Sequence, residues 1–265
     1  MNSIGTVESL WRYPVKSMRG EELDEMFVGF PGVYGDRVFA FKSSASRAGF
    51  PYFTAREQTQ MLRYQPKFRD SNKAARPVNQ TEAESLPPGV TPLYASLDEL
   101  AVDVETPTGE RLSIDDPALI DALRSGVDEK HQLSLLRSER ALTDCRPVSI
   151  FAVQSAKELG KEAGLRHVDK RRFRANVYLE LTAGEAFAEE KWVGHSLRIG
   201  SKVMVSIVDR DPRCMMITLD PDTGAKEPAL LKAVAQAHSG LAGVYGAVLA
   251  EGTMRKGDTV ELLDQ

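Results

Sequence analysis

Residues 100–114 read LAVDVETPTGERLSI, and their spacing decides which class of fold the chain can adopt. Leu100, Val102 and Val104 alternate with other residues, Pro107 to Gly109 turn, and Leu112 and Ile114 resume the apolar phase. Successive strand side chains point to opposite faces, so this period of two predicts a β-hairpin with one buried face. The pattern then changes. Asp116 with Pro117 makes a helix cap and first turn, Leu119, Ile120 and Leu123 share one helical face, and Gly126 ends it. We divide the chain here, into domains 1–115 and 116–265.

The same signals recur on both sides of that division. TVESLWRYPV (6–15) alternates loosely, and GFPGVYGDR (29–37) is a glycine-rich turn feeding a short strand, VFAFK. Residues 70–92 are polar and proline-rich and read as an exposed loop. Ser155 and Glu158 fit a capping box for a helix ending near Gly164, and Pro228 opens another with Leu230, Leu231 and Val234 inward. GVYGAVLAEGTMRKGDTVELL (243–263) reads as two strands about a Gly-Thr turn. Strands dominate and helices do not alternate with them, which argues against a βαβ parallel sheet and for barrel-like β structure with packed helices.

The totals bound the function. The 265 residues leave room for a real core, 34 Lys and Arg face 38 Asp and Glu, and the net charge is −4. Mean hydropathy is −0.30, that of an ordinary soluble protein. The weakly acidic balance argues against wholesale nucleic-acid binding but leaves room for a local basic pocket. Glu8, Arg12 and Lys16 interrupt any apolar signal segment, and no stretch has the length of a membrane span, so a cytoplasmic location without membrane association is expected. Two cysteines, Cys145 and Cys214, supply neither a disulfide framework nor the four ligands of a common iron–sulfur cluster. The four histidines show no zinc-type spacing with them.

Three stretches carry chemistry. In KRRFRANVYLEL (170–181), Phe173, Ala175, Val177, Leu179 and Leu181 occupy one phase of a period of two. Arg174 and Asn176 then project side by side from the other face as a clamp for an anion or heterocycle, while Arg172 reads as solvated. YPVKS (13–17) sets Lys16 and Ser17 at a strand end, and GDR (35–37) sets Asp36 beside Arg37; both suit phosphate, without a Walker or Rossmann glycine loop. In VDRDPRCMMITLDPDTG (208–224), Asp211 and Pro212 stop a strand in which Val203, Val205 and Ile207 alternate with Met204, Ser206 and Val208. Cys214 follows that stop, flanked by Arg210 and Arg213, which favour its thiolate. A small buried thiol is the competing reading by spacing alone.

Seven stretches stand in one order: YPVKSMRG, GDRVFAF, FTARE, FRAN, EEKWVGHSLRIG, DPRCMMITLDPDTG and GTMRKGDTVELL. Together they resemble the MOSC family with its N-terminal β-barrel domain, the group that includes the mitochondrial amidoxime-reducing component and bacterial relatives. The resemblance implies a β-barrel N-terminal domain followed by a MOSC β-barrel domain, and a molybdenum cofactor (molybdopterin) whose metal is held by Cys214. It implies cofactor contacts from Lys16, Ser17, Arg37, Arg174, Asn176, Asp211, Pro212 and Arg213. Pyridoxal phosphate binding is a further association at family level.

The implied activity is reduction of N-hydroxylated small molecules, with electrons from a separate carrier protein because the chain lacks cluster cysteines and a dinucleotide fingerprint. Amidoxime-reducing relatives read C-S-R-C where Asp211 opens this motif, F-R-P-N has become FRAN, and some bacterial relatives carry a fused ferredoxin domain that this chain lacks before Gln265. The Asp211 change keeps alive a second implied role, a sulfur or cofactor carrier that uses a Cys214 persulfide. A third is a degenerate binding domain with an empty pocket.

Overall fold

The computed structural model describes residues 2–87, 90, 94 and 97–263. Its first strand, β1 (Asn2–Arg12), forms three ladders: with a C-terminal strand over residues 2–6, with a central strand over 5–10, and with β2 (Glu21–Leu23) over 10–12. Register shifts at Ser3/Gly5 and Val7/Ser9 bend it from one neighbour to the next. Gly5 lies at the closest approach: a Cβ there would fall 2.3 Å from the Glu180 carbonyl oxygen. A barrel can close at this point because the residue has no side chain.

The first half of the chain continues with β3 (Glu25–Gly29), β4 (Gly32–Val33), β5 (Phe39–Arg47), β6 (Phe50–Phe53) and β7 (Gln65–Phe68). The opening hairpin follows, as β8 (Val102–Glu105) and β9 (Arg111–Ser113), paired antiparallel with Val104 opposite Leu112. Gly109 adopts φ +87°, which its turn requires. Helix α3 (Pro117–Arg124) starts where the sequence places it, with the Asp116 carboxylate accepting from the Ala118 N–H at 2.9 Å and Leu119 and Leu123 fully buried. Within 70–92, where a loop is expected, the described residues form two short exposed helices, α1 (Ser71–Ala75) and α2 (Gln80–Glu84). Asp70 caps α1 through Asn72 and Lys73; positions 88, 89 and 91–93 lie outside the described residues. β10 (Leu133–Arg137) completes a three-stranded sheet with β5 and β6. The core between these elements is built on Phe39, Phe41, Phe53, Met61, Leu119 and Leu123.

The second half supplies β11 (Val148–Ala152), β12 (Val177–Leu181), β13 (Ser196–Ile199), β14 (Val203–Pro212), β15 (Leu241–Ala250), β16 (Gly252–Arg255) and β17 (Thr259–Leu263). The strands run β12-β11-β15-β14-β13-β17-β1, and β12 pairs back onto β1, closing a barrel of seven. Its interior is packed with β-branched side chains, among them Val7, Ile150, Val177, Val205, Ile207, Val244 and Val260. The fold is mainly β with packed helices. A division at residue 115 leaves β1 and β2 in a sheet otherwise made from residues after 147, and β16 pairs with β3 from the first half. Among the described residues no helix is long and apolar enough to cross a membrane.

Three local expectations need correction. β11 and β12 are parallel, joined by α4 (Val153–Glu162), so one βαβ unit sits inside the otherwise antiparallel barrel. α4 is not capped by Ser155 and Glu158. It grows directly out of β11, Glu189 accepts from the Ala152 N–H across the chain, and Ser155 Oγ donates to the same carboxylate at 2.9 Å. The C-terminal segment is three strands, and Gly252-Thr253 starts β16 instead of turning. Helix α5 (Pro228–Ala237) starts at its proline as expected, with Leu230 and Val234 buried.

Gly243 ties this packing to the site described next. It adopts φ +76°, and a Cβ there would lie 2.3 Å from Phe151 Cδ2 and 3.0 Å from Arg213 Nη2. Gly243→Ala combines a left-handed conformation with overpacking, so we expect about 2–5 kcal/mol of destabilisation, read as a lowered urea midpoint at unchanged slope.

Candidate functional site

One hollow, partly open to solvent, lies where the ends of β11, β12 and β14 meet the loops after β1, β4 and β6. All nine residues singled out from the sequence line it: Lys16, Ser17, Arg37, Arg174, Asn176, Asp211, Pro212, Arg213 and Cys214. Its wall carries seven cationic side chains against two carboxylates, although the whole chain is acidic. Such a concentration of one sign attracts anions. Backbone strain gathers here too. Five non-glycine residues among those described adopt positive φ, and three of them, Ser17 (66°), Arg37 (47°) and Arg174 (52°), line the hollow.

Arg174 differs from its expected place. β12 begins only at Val177, residues 170–173 form a short 3₁₀ turn, and Arg174 caps that turn in the left-handed region. Its guanidinium lies over the Tyr13 ring at 4.2 Å. Nη2 is buried without a hydrogen-bond partner among the described residues. Burial pushes its pKa down to about 10. An anion at that nitrogen would remove the strain of an unpaired buried cation. Asn176 is buried and already engaged: Oδ1 accepts from the Ser149 N–H and Nδ2 donates to the Trp11 carbonyl, both at 3.2 Å. It fixes the floor where β11, β12 and β1 meet and is not a free clamp. Arg172 is not solvated; it lines the hollow and donates to the Thr218 carbonyl at 2.8 Å and to Asp220 at 3.1 Å. Tyr178, on the phase expected to be outward, is fully buried because α4 and the 3₁₀ turn cover that face.

The other cations are held in distinct ways. Arg37 pairs with the buried Asp36 and donates to the Arg174 carbonyl at 3.0 Å. Burial works against its charge, but Asp36, with Tyr13 and Asp144, more than offsets it and raises the pKa. Lys16 Nζ donates to the Leu142 carbonyl at 2.7 Å and to Asp144. Burial lowers the Lys16 pKa despite that partner. Arg213 leaves the end of β14 and lies beside the stacked rings of Phe151 and Phe173, whose centroids are 4.3 Å apart. It donates to the carbonyls of Ala242 (2.7 Å) and Phe173 (2.9 Å), and Nη2 lies 2.9 Å from Asp211 Oδ2. Arg213 thus holds the strand end as well as lining the hollow.

Asp211 stands at the rear, bonded by Ser149 Oγ at 3.1 Å and by the Tyr245 hydroxyl. Burial raises its pKa over the pull of Arg213 and those donors, and burial with the nearby Asp211 charge raises Tyr245. The β14 ladder does not stop before this point: Pro212 pairs with Leu241 across a register shift after Arg210. That bulge sends Arg210 away, to Glu190, while Arg213 faces in. Cys214 follows, half-buried, at the start of a 3₁₀ turn over residues 215–218. The cation that meets its sulfur is not Arg210 but Arg56, whose Nη2 lies 3.2 Å from Sγ. Arg56 comes from the loop after β6, 158 residues away in sequence, and no spacing rule links the two. Among the described residues no cluster of three or more His, Cys, Asp or Glu could hold a metal ion, and Cys214 is the cysteine that lines the cation-rich hollow.

Family models match two stretches: "MOSC N-terminal beta barrel domain" over residues 4–106 and "MOSC domain" over residues 137–261. The chain belongs to the MOSC domain family. This MOSC chain is 35% identical over 133 residues to mitochondrial amidoxime reducing component 2 of Bos taurus, covering 45% of the chain and 38% of that protein. It is 32% identical over 136 residues to the Rattus norvegicus protein of the same name, again covering 38% of it. The matched stretch therefore spans under half the length of these relatives. Among solved structures, the YuaD protein from Bacillus subtilis aligns over 97% of this chain and 94% of its own, at 14% identity and a TM-score of 0.49.

Proposed function

We propose that this MOSC chain is a molybdenum-cofactor oxidoreductase that reduces N-hydroxylated small molecules, with electrons from a separate carrier protein. The observation that supports it most is Arg174 Nη2, buried without a partner in a hollow that also presents the Cys214 thiol. The donor set fits the group: a single soft sulfur for the metal and a cationic wall for a phosphate. When bound, the cofactor supplies the two-electron redox chemistry. Arg174 and Arg37 orient its phosphate end, with Lys16 and Ser17 on the same wall. Asn176 and Arg213 keep the strand ends in register beneath it. Arg56 would meet the metal-binding sulfur from one side while its guanidinium lies over the Phe50 ring.

The MOSC relatives named amidoxime reducing component agree with this reading. Expression in a host that makes molybdopterin tests it. Freshly purified chain is expected to carry molybdenum and a fluorescent pterin and to reduce benzamidoxime with a viologen donor. Chain that stays free of both in that host, or carries pyridoxal phosphate instead, refutes it. The Arg56–Cys214 contact also suits a persulfide on Cys214, as a sulfur carrier would need. Intact mass distinguishes the two, since a carrier gains a reducible sulfur on Cys214 with no pterin.

A further inference from the structure

The link from β10 to β11, residues 138–147, does not pass behind the hollow but along its wall. It is fastened at several points. The Ser138 N–H donates to the Val38 carbonyl and the Leu142 N–H to the Arg37 carbonyl, both at 2.9 Å, while Lys16 Nζ donates to the Leu142 carbonyl. Thr143, Asp144 and Arg146 line the cavity. Asp144 forms an ion pair with Lys16 and lies 3.8 Å from Arg56, the same arginine that meets Cys214. A carboxylate of the chain's own thus pairs with two of the hollow's cations, whereas Arg174 keeps a nitrogen unpaired among the described residues.

A phosphate that reached Lys16 would meet Asp144 already there, and two anions cannot share one ammonium without strong repulsion in a part-buried site. We infer that Asp144 is a built-in counter-anion: it holds Lys16 and Arg56 in the ligand-free protein and must be displaced, with the 142–146 segment, when a phosphate-bearing ligand enters. This rests on the reading of the hollow as a phosphate site and adds an internal competitor to it. The competitor keeps Lys16 and Arg56 paired before loading and makes affinity depend on moving one loop. It also makes Asp144 a determinant of which anions can enter.

Titrating inorganic pyrophosphate into purified full-length chain by calorimetry tests this. Asp144→Asn keeps an acceptor for Lys16 but removes the charge, and should bind pyrophosphate about tenfold more tightly than the unmodified chain, or better. Asp144→Glu should bind as the unmodified chain does, and Lys16→Met should lose most of the gain when combined with Asp144→Asn. Equal or weaker binding by Asp144→Asn overturns the inference, as does a failure of both forms to bind.

Hydrogen exchange gives a readout that needs no variant. Amides of residues 138–146 in the unmodified chain should exchange faster on adding pyrophosphate, and unchanged or slower exchange overturns the displacement. The cofactor reading fails separately. A chain that behaves as described toward pyrophosphate yet never loads pterin removes that reading and leaves the counter-anion. A chain that loads molybdenum while Asp144→Asn shows no gain does the reverse.

Discussion

Cys214→Ala is expected to abolish molybdenum retention and benzamidoxime reduction together while leaving the barrel folded. The sulfur lies outside the ladders, just after β14, and among the described residues the hydrogen bond it receives comes from Arg56. Removing it opens no large core cavity, so the unfolding free energy should change by less than about 1 kcal/mol. The metal would lose the one protein ligand the hollow offers it, an effect larger than loss of any single phosphate contact at about 1.5–3 kcal/mol. Residual activity should lie orders of magnitude below that of the unmodified chain. Circular dichroism, metal analysis and turnover on one preparation settle the point, and near-normal turnover in the folded variant would exclude the thiolate role.

Arg174→Met should move stability and binding in opposite directions. Arg174 Nη2 is buried without a partner among the described residues, and burial pushes the pKa of the guanidinium down to about 10. Each pKa unit corresponds to about 1.4 kcal/mol, so a downward shift of this kind costs the fold on the order of a few kcal/mol. A folded-state pKa below the unfolded one disfavours the cation in the fold. That penalty is present in full at neutral pH and fades only as pH rises past about 10. Methionine fills a similar volume against Tyr13, so the ligand-free variant should gain about 1–3 kcal/mol. Pyrophosphate or cofactor binding should weaken by about ten- to a hundredfold, since one charge-assisted bond is lost. A variant that is both less stable and equally able to bind would show that Arg174 serves the fold and not a ligand.

The contrast between Arg174 and Cys214 also shows what could be read before the fold was known. The hairpin at 102–113 and the capped helix at 117 were legible because each depends on neighbours within a few residues: alternation, a Gly109 turn, an Asp116 cap. Ser155 misled for the same reason, since its local spacing fits a cap but the Glu189 carboxylate, 34 residues on, takes its hydroxyl. Closure of the barrel through β1 depends on Gly5 passing against Glu180, which no local pattern encodes. At the site, the nine motif residues converge as their strand-end positions suggest. Their roles diverge, because strand phase cannot foresee that Arg174 leaves the strand or that Asn176 is engaged by Ser149 and Trp11. Arg56 lies within the FTARE stretch but nothing local marks it as a partner of Cys214, and Asp144 has no spacing that ties it to Lys16; both pairs form only through the fold.

X-ray absorption at the molybdenum edge tests the sulfur role most directly, on chain loaded in a host that makes the cofactor. Sulfur number 214 should add one thiolate to the dithiolene pair in the unmodified protein, and that scatterer should vanish in whatever molybdenum Cys214→Ser retains. A sulfur count that is the same in both proteins would contradict it.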